Sequence, residues 1–214
     1  MQHSLLDQPL GTLACEIPGA TRLFHAYRLD FCCGGHRTLR EAALKRQVDM
    51  DSLATALETL RSRPALNEDW RTASPARLID HLLERFHARH RLQLPELIRL
   101  ARRVEQVHGD RPECPNGLAD LLDSLYQELE SHMLKEEQIL FPLLLSRPAL
   151  AAQGPIPVIR FEHDQHGEAL ERLAELTNDI TPPYNASNTW RALYRGLQEL
   201  REDLMEHIHL ENNV

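Results

Sequence analysis

Four leucines, Leu118, Leu122, Leu125 and Leu129, recur at steps of four, three and four residues, and the same rhythm runs on to His132, Glu136 and Ile139. A helix with this spacing turns one seam toward its neighbours. The seam that should be apolar therefore carries an imidazole and a carboxylate one turn apart. Burying a charge alone is costly, so such groups are normally paired or bound to a metal. A His and a Glu at i, i+4 point the same way and can share a metal site. The pattern occurs twice, because Leu193, Leu197, Leu200 and Leu204 lead on to His207 and Glu211. One His-x3-Glu pair is ordinarily a surface contact. Two pairs, each in phase with a leucine seam, argue for a built site.

The chain has 214 residues, enough for a bundle and a small module. Its formal charge is −8, with 32 acidic against 24 basic residues. That argues against a binder of nucleic acid or of membrane surfaces, whose footprint is basic. Residues Met1 to Asp7 contain no long apolar run, so no secretory signal is expected. No later stretch reaches the ~18 apolar residues of a membrane helix. The cysteines Cys15, Cys32, Cys33 and Cys114 do not have the spacing of a disulfide framework, which fits a reducing cytoplasm.

The chain reads as all-α, an antiparallel four-helix bundle preceded by a small helical domain. Residues 1–62 form the small domain, 63–74 a linker and 75–214 the bundle. Within the first part, Thr38-Leu39-Arg40-Glu41 has the form of a capping box, so a helix should start after Thr38. The turn Asp30-Phe31-Cys32-Cys33-Gly34-Gly35 precedes it. Four long helices follow. The first starts at Ser74-Pro75 and runs to about His108, with a kink expected at Pro95. The others span about Asn116 to Leu145, Pro155 to Asp179, and Ser187 to the end, with a loop from Ser146 to Gly154. The linker should let residues 75–214 fold and bind metal without the small domain.

The other two long helices also turn histidine inward. Ile79, Leu83, His87, His90 and Leu94 follow one stripe, and Ile156, Ile159, His163, His166, Leu170 and Leu173 another. One histidine from each helix and the two glutamates give six protein ligands. That exceeds the four of a usual zinc site and suits two metals bridged by the carboxylates, with a position left for a small ligand. Imidazole and carboxylate suit iron, manganese or zinc.

At these residues the chain resembles the RIC family, the iron-sulfur cluster repair di-iron proteins, in which a cysteine-containing domain precedes a hemerythrin-like bundle. The matching stretches are Asp30 to Gly35, Ile79-Asp80-His81 through Phe86-His87-Ala88-Arg89-His90-Arg91, Ser131 to Pro142, Glu162-His163-Asp164, and Leu204 to Asn213. The resemblance implies the ligand set His87, His132, Glu136, His163, His207 and Glu211. The resemblance also implies that this set holds two non-haem irons, oxo- or hydroxo-bridged. His90 and His81 are rivals to His87, which the motif favours. His166 stands where the motif asks for no histidine. In the family the last motif runs on into Leu-Phe-Pro, as Ile139 to Pro142 does for the second long helix, whereas this chain stops at Val214.

Cys32 and Cys33 make a poor structural staple, since vicinal disulfides are strained. A helix start just beyond them predicts a lowered thiol pKa, and a mobile segment would suit redox or iron transfer. Glu128, one turn before His132, and Glu162, beside His163, are candidates to orient a ligand or relay a proton. The resemblance implies a cytoplasmic stress protein, monomer or homodimer. Its partners would be damaged iron-sulfur proteins or their assembly machinery, without nucleic acid or membrane. It would release or transfer iron and, as an associated redox activity, reduce nitric oxide. The alternative is a hemerythrin-like binder or sensor of dioxygen or nitric oxide.

Overall fold

The computed structural model describes residues 5–62, 69–146 and 154–214. The first half of the expected linker and most of the loop from Ser146 to Gly154 lie outside the described residues. Among the described residues there is no strand, and the one β-type pairing is an isolated bridge between Pro9 and Thr38. The chain divides into two compact units, residues 75–204 and residues 1–74 joined by 205–214. The first boundary falls between Ser74 and Pro75. At the other end, the last ten residues group with the small domain.

In the N-terminal unit, helices α1 (Leu10–Glu16), α2 (Ala20–Ala26), α3 (Leu39–Arg46) and α4 (Met50–Arg61) surround Leu10, Leu13, Phe24, Phe31, Leu39, Leu53 and Leu57. Met205 from the chain's last stretch packs against the same core. The capping box forms as read: Thr38 accepts from the Glu41 backbone N–H, and Glu41 accepts from that of Thr38. The cysteine turn, expected to be mobile, is tied to α1 by hydrogen bonds from Leu10 N to Arg37 O at 2.9 Å and from Gly11 N to Gly35 O at 2.8 Å. Gly35 is needed there, because a Cβ would stand 2.6 Å from Phe31 O. Trp70 lies on a short 3-10 turn, Trp70–Thr72.

The other unit is built on long helical runs. The first is α5 (Pro75–His81), a π-helical stretch Leu82–His87, and α6 (Ala88–His108). The first run continues through Pro95 without a break, as read from the sequence. The second is α7 (Leu118–Lys135), a π-helical stretch Glu136–Leu140, and α8 (Phe141–Ser146). Helix α9 (Ile156–Leu176) follows, and α10 (Asn188–Asn213) is continuous across the unit boundary. The pairings Arg91–Glu130 and Arg102–Asp123 run in opposite senses along α6 and α7, so these helices are antiparallel. The same holds for Arg85–Asp203 and Arg89–Glu199 between the first run and α10. Both leucine seams are inside: Leu118, Leu122, Leu125, Leu129, Leu193, Leu197, Leu200 and Leu204 are all at most 1% exposed. The hydrophobic effect therefore fixes the rotation of α7 and α10, and with it where the polar continuation of each seam must point.

Candidate metal centre

The two π-helical stretches mark the site, one ending on His87 and the other beginning on Glu136. Such widened turns recur at functional sites. The second has a reason in the sequence. In a regular helix the ring of Pro142 would meet the carbonyl of Gln138, four residues back, and the wide turn absorbs that conflict.

Glu136 is fully buried, with Oε2 3.3 Å from His87 Nε2 and Oε1 3.2 Å from His132 Nε2. Neither carboxylate oxygen makes a hydrogen bond among the described residues. His163 Nε2 faces His132 Nε2 at 3.1 Å, with both rings 1% exposed. The Glu136 carboxylate is thus buried beside imidazole nitrogens of His87 and His132, with no hydrogen bond to its oxygens among the described residues. A cation supplies what is missing, so these residues fit a metal centre.

On α10, His207 Nε2 lies 3.2 Å from Glu211 Oε1, one turn apart at the end of the seam, with His207 buried and Glu211 partly so. Within residues 75–204 the ligand atoms of His87 and Glu136, and those of His132, Glu136 and His163, lie within 4.8 Å of one another.

The outer nitrogens of two of these histidines meet carboxylates. His87 Nδ1 is 2.8 Å from Glu137 Oε1, and Arg91 donates to that same oxygen at 2.8 Å and to Glu130 Oε2 at 2.8 Å. His132 Nδ1 is 3.0 Å from Glu162 Oε2, and Lys135 pairs with the other oxygen of Glu162. Burial opposes ionisation of both carboxyls. It is outweighed in Glu137 by hydrogen bonds from Arg91 and His87, and in Glu162 by those from Lys135 and His132, so both are held below the usual carboxylate range. Carboxylates of this kind fix which ring nitrogen carries the proton and aim the other at the metal.

Glu162 thus meets His132 rather than its sequence neighbour His163. Glu128, expected beside His132, is exposed. Glu137, Arg91 and Glu130 were not legible as a set, although Arg91 stands one turn after His87 and Glu137 adjoins a seam position. His166 is buried with its ring edge-on to His132, centroids 4.9 Å apart. His90 is buried near Phe86, and His81 packs edge-on against the same ring. None of these three histidines belongs to either ligand group.

Asp30, Cys32 and Cys33 form a third group with metal-ligating atoms close together. The expected lowering of the thiol pKa does not hold for Cys32. Its Sγ hydrogen-bonds Cys33 Sγ and it is buried, and these push the thiol well above its ordinary value. Helix α3 begins only at Leu39, too far on for its dipole to act within the first turn.

Residues 78–214 match the hemerythrin HHE cation binding domain, and residues 6–61 match the ScdA_N domain, a domain of unknown function. The iron-sulfur cluster repair protein YtfE of Dickeya chrysanthemi is 54% identical over 207 residues, covering 97% of this chain and 94% of the relative. The protein of the same name from Citrobacter koseri is 52% identical over 211 residues, covering 99% and 96%. That of Escherichia coli O1:K1 is 51% identical over 208 residues, covering 97% and 94%.

Proposed function

This chain belongs to the family of iron-sulfur cluster repair proteins built on a hemerythrin HHE domain, and on that premise we propose that it repairs iron-sulfur clusters damaged by nitrosative or oxidative stress, by releasing or transferring iron. The observation that carries the reading is the buried Glu136 carboxylate between His87 and His132, its oxygens without hydrogen bonds. We assign six ligands: His87, His132, Glu136, His163, His207 and Glu211, with Glu136 and Glu211 shared by two metals. When bound, two non-haem irons would supply redox capacity and open positions for nitric oxide or dioxygen, linked by an oxo or hydroxo bridge.

The chain's own residues do the holding. Nδ1 of His87 and of His132 is engaged by a carboxylate, which leaves Nε2 to the metal. For iron as cargo, Asp30, Cys32 and Cys33 offer a carboxylate and two thiols in one cluster, and the thiolates formed when iron displaces their protons are soft ligands suited to transient binding. Partners on this reading are damaged iron-sulfur proteins or their assembly machinery. No helix among the described residues is long and apolar enough to cross a membrane. A cytoplasmic location is part of this reading and agrees with the absence of disulfides among the described residues.

The test pairs metal analysis and an optical spectrum of freshly purified protein with a reactivation assay on a cluster enzyme inactivated by nitric oxide. Two irons, oxo-bridge charge-transfer bands and recovery of the enzyme are the expected result. A colourless zinc protein would sink the di-iron assignment. Two irons without reactivation would favour a binder or sensor of dioxygen or nitric oxide.

A further inference from the structure

We propose that Glu137 is a positioning residue that makes the two metal positions unequal, so that the metal on His87 is retained while the metal on His132 leaves first. This rests on the two-metal reading above. The two histidines are each backed by a carboxylate, but the carboxylates are backed differently. Behind His87, Glu137 Oε1 takes hydrogen bonds from both His87 Nδ1 and Arg91, each at 2.8 Å. Arg91 stands one turn after His87 on α6, and Glu130 and Glu137 stand two turns apart along the facing run that starts with α7. The guanidinium reaches both, with its Nε on Glu130 Oε2 at 2.8 Å. A planar fork held at two points loses little freedom per bond and keeps its orientation. The Glu137 carboxylate, and the ring of His87 bonded to it, are thereby fixed from two helices.

Behind His132 the contact is longer, 3.0 Å to Glu162 Oε2. The cation behind Glu162 is Lys135, 40% exposed against 31% for Arg91. A lysine ammonium is a strongly hydrated point charge on a flexible stem, without the guanidinium's fork. Lys135 stands three residues after His132 as Arg91 stands four after His87, but among the described residues it pairs with Glu162 alone, without a second carboxylate in the place of Glu130. The carboxylate behind His132 is thus held by the weaker support, so the His132 ring should turn away at lower cost than that of His87, and a ligand that turns away is the first step of metal release. Partners of this kind typically change metal affinity about ten- to hundredfold when removed, enough to separate two release phases in time.

The experiment loads full-length protein with ferrous iron without oxygen, adds excess ferrous chelator and follows release. Wild type should lose one equivalent quickly and one slowly. Glu137→Gln, which keeps the shape and drops the charge, should speed the slow phase about ten- to hundredfold and leave the fast phase in place. Glu162→Gln should speed the fast phase alone. Arg91→Lys keeps Glu137 and the charge but loses the fork, and should speed the slow phase by a smaller factor. It serves as the second test if Glu137→Gln melts below wild type without metal. A slow phase unchanged in both Glu137→Gln and Arg91→Lys, or both phases speeded equally, overturns the proposal. Wild type that takes up a single equivalent and releases it in one phase overturns the two-metal reading, and this inference with it.

Discussion

The ring of His209 stands edge-on to that of Phe31, with centroids 5.4 Å apart at 72°. Cys15 Sγ lies 3.7 Å from His209 Nε2, and Asn212 donates to Cys32 O at 3.4 Å. The last turns of α10 are therefore packed among the N-terminal helices, in the compact unit that residues 205–214 share with residues 1–74. His207 and Glu211 lie on those same turns. Deleting residues 1–62 should expose Met205, Ile208, His209 and the neighbouring apolar surface and fray this helix end. The truncated chain should keep most of its helix content by circular dichroism but bind fewer metal equivalents than the full chain. Equal metal content and equal melting temperature would show that the contact is dispensable.

Gly35 shows how tightly that unit is closed. A methyl group there would meet the Phe31 carbonyl at 2.6 Å and the Asn213 side chain at 3.0 Å. The carbonyl belongs to the backbone of the turn and cannot swing aside. Gly35→Ala should cost about 1–3 kcal/mol, seen as a lower urea midpoint with an unchanged slope. A stability within error of wild type would mean that the turn relaxes freely.

Cys15 tests the electrostatics of the same region. Burial pushes its thiol up to about 11, against the pull of Arg71 and with help from Asp69, Glu16 and Glu206. At pH 8 the thiolate fraction should be about a hundredfold below that of an ordinary thiol, since two pKa units are two decades. Alkylation of Cys15, followed by mass spectrometry, should be slow at pH 8 and keep accelerating with pH to about 11. A rate that levels off near pH 9 would contradict the burial effect.

The sequence carried the four-helix pattern because leucine periodicity is a local signal of what must be buried, and the His-x3-Glu continuation inherits its phase. Both seams are inside, and the capping box at Thr38 forms as written. What depends on two chain segments meeting was less legible. The partner of His132 is Glu162, thirty residues away, and not Glu128 one turn before it. The π-helical turn at Glu136–Leu140 had a signal in Pro142, but the one at Leu82–His87 had none that periodicity could detect. For Cys32, the helix that starts at Leu39 is too far along the chain for its dipole to lower the thiol pKa. Burial and the hydrogen bond to Cys33 act at shorter range and decide the sign.

His132 is the ligand whose loss should be most informative. It touches Glu136 at 3.2 Å, His163 at 3.1 Å and Glu162 at 3.0 Å. His132→Ala removes one ligand and leaves Glu136 and Glu162 each short of a partner in a buried place. Metal content should fall by at least one equivalent, with the optical bands of a bridged pair lost. Helix content should survive while the melting temperature drops, because the leucine seam above the site is intact. Full metal and an unchanged spectrum would refute its assignment as a ligand.

The double variant Cys32→Ala, Cys33→Ala separates holding iron from handing it on. Neither thiol is among the six assigned ligands, so metal content and nitric oxide binding should stay close to wild type. Reactivation of a cluster enzyme damaged by nitric oxide should fall. The high pKa of Cys32 makes its role conditional: at neutral pH it is a thiol, hydrogen-bonded to Cys33. Iron arriving beside it would have to displace that proton, and a metal lowers the pKa of its thiol ligands strongly. Transfer through Cys32 should therefore release protons and run faster as pH rises from 6.5 to 8.5. The double variant should lose that dependence along with the rate. If His132→Ala abolishes reactivation while the cysteine variant keeps both the full rate and its pH dependence, iron leaves the metal centre without these thiols, and their cluster with Asp30 is a packed turn.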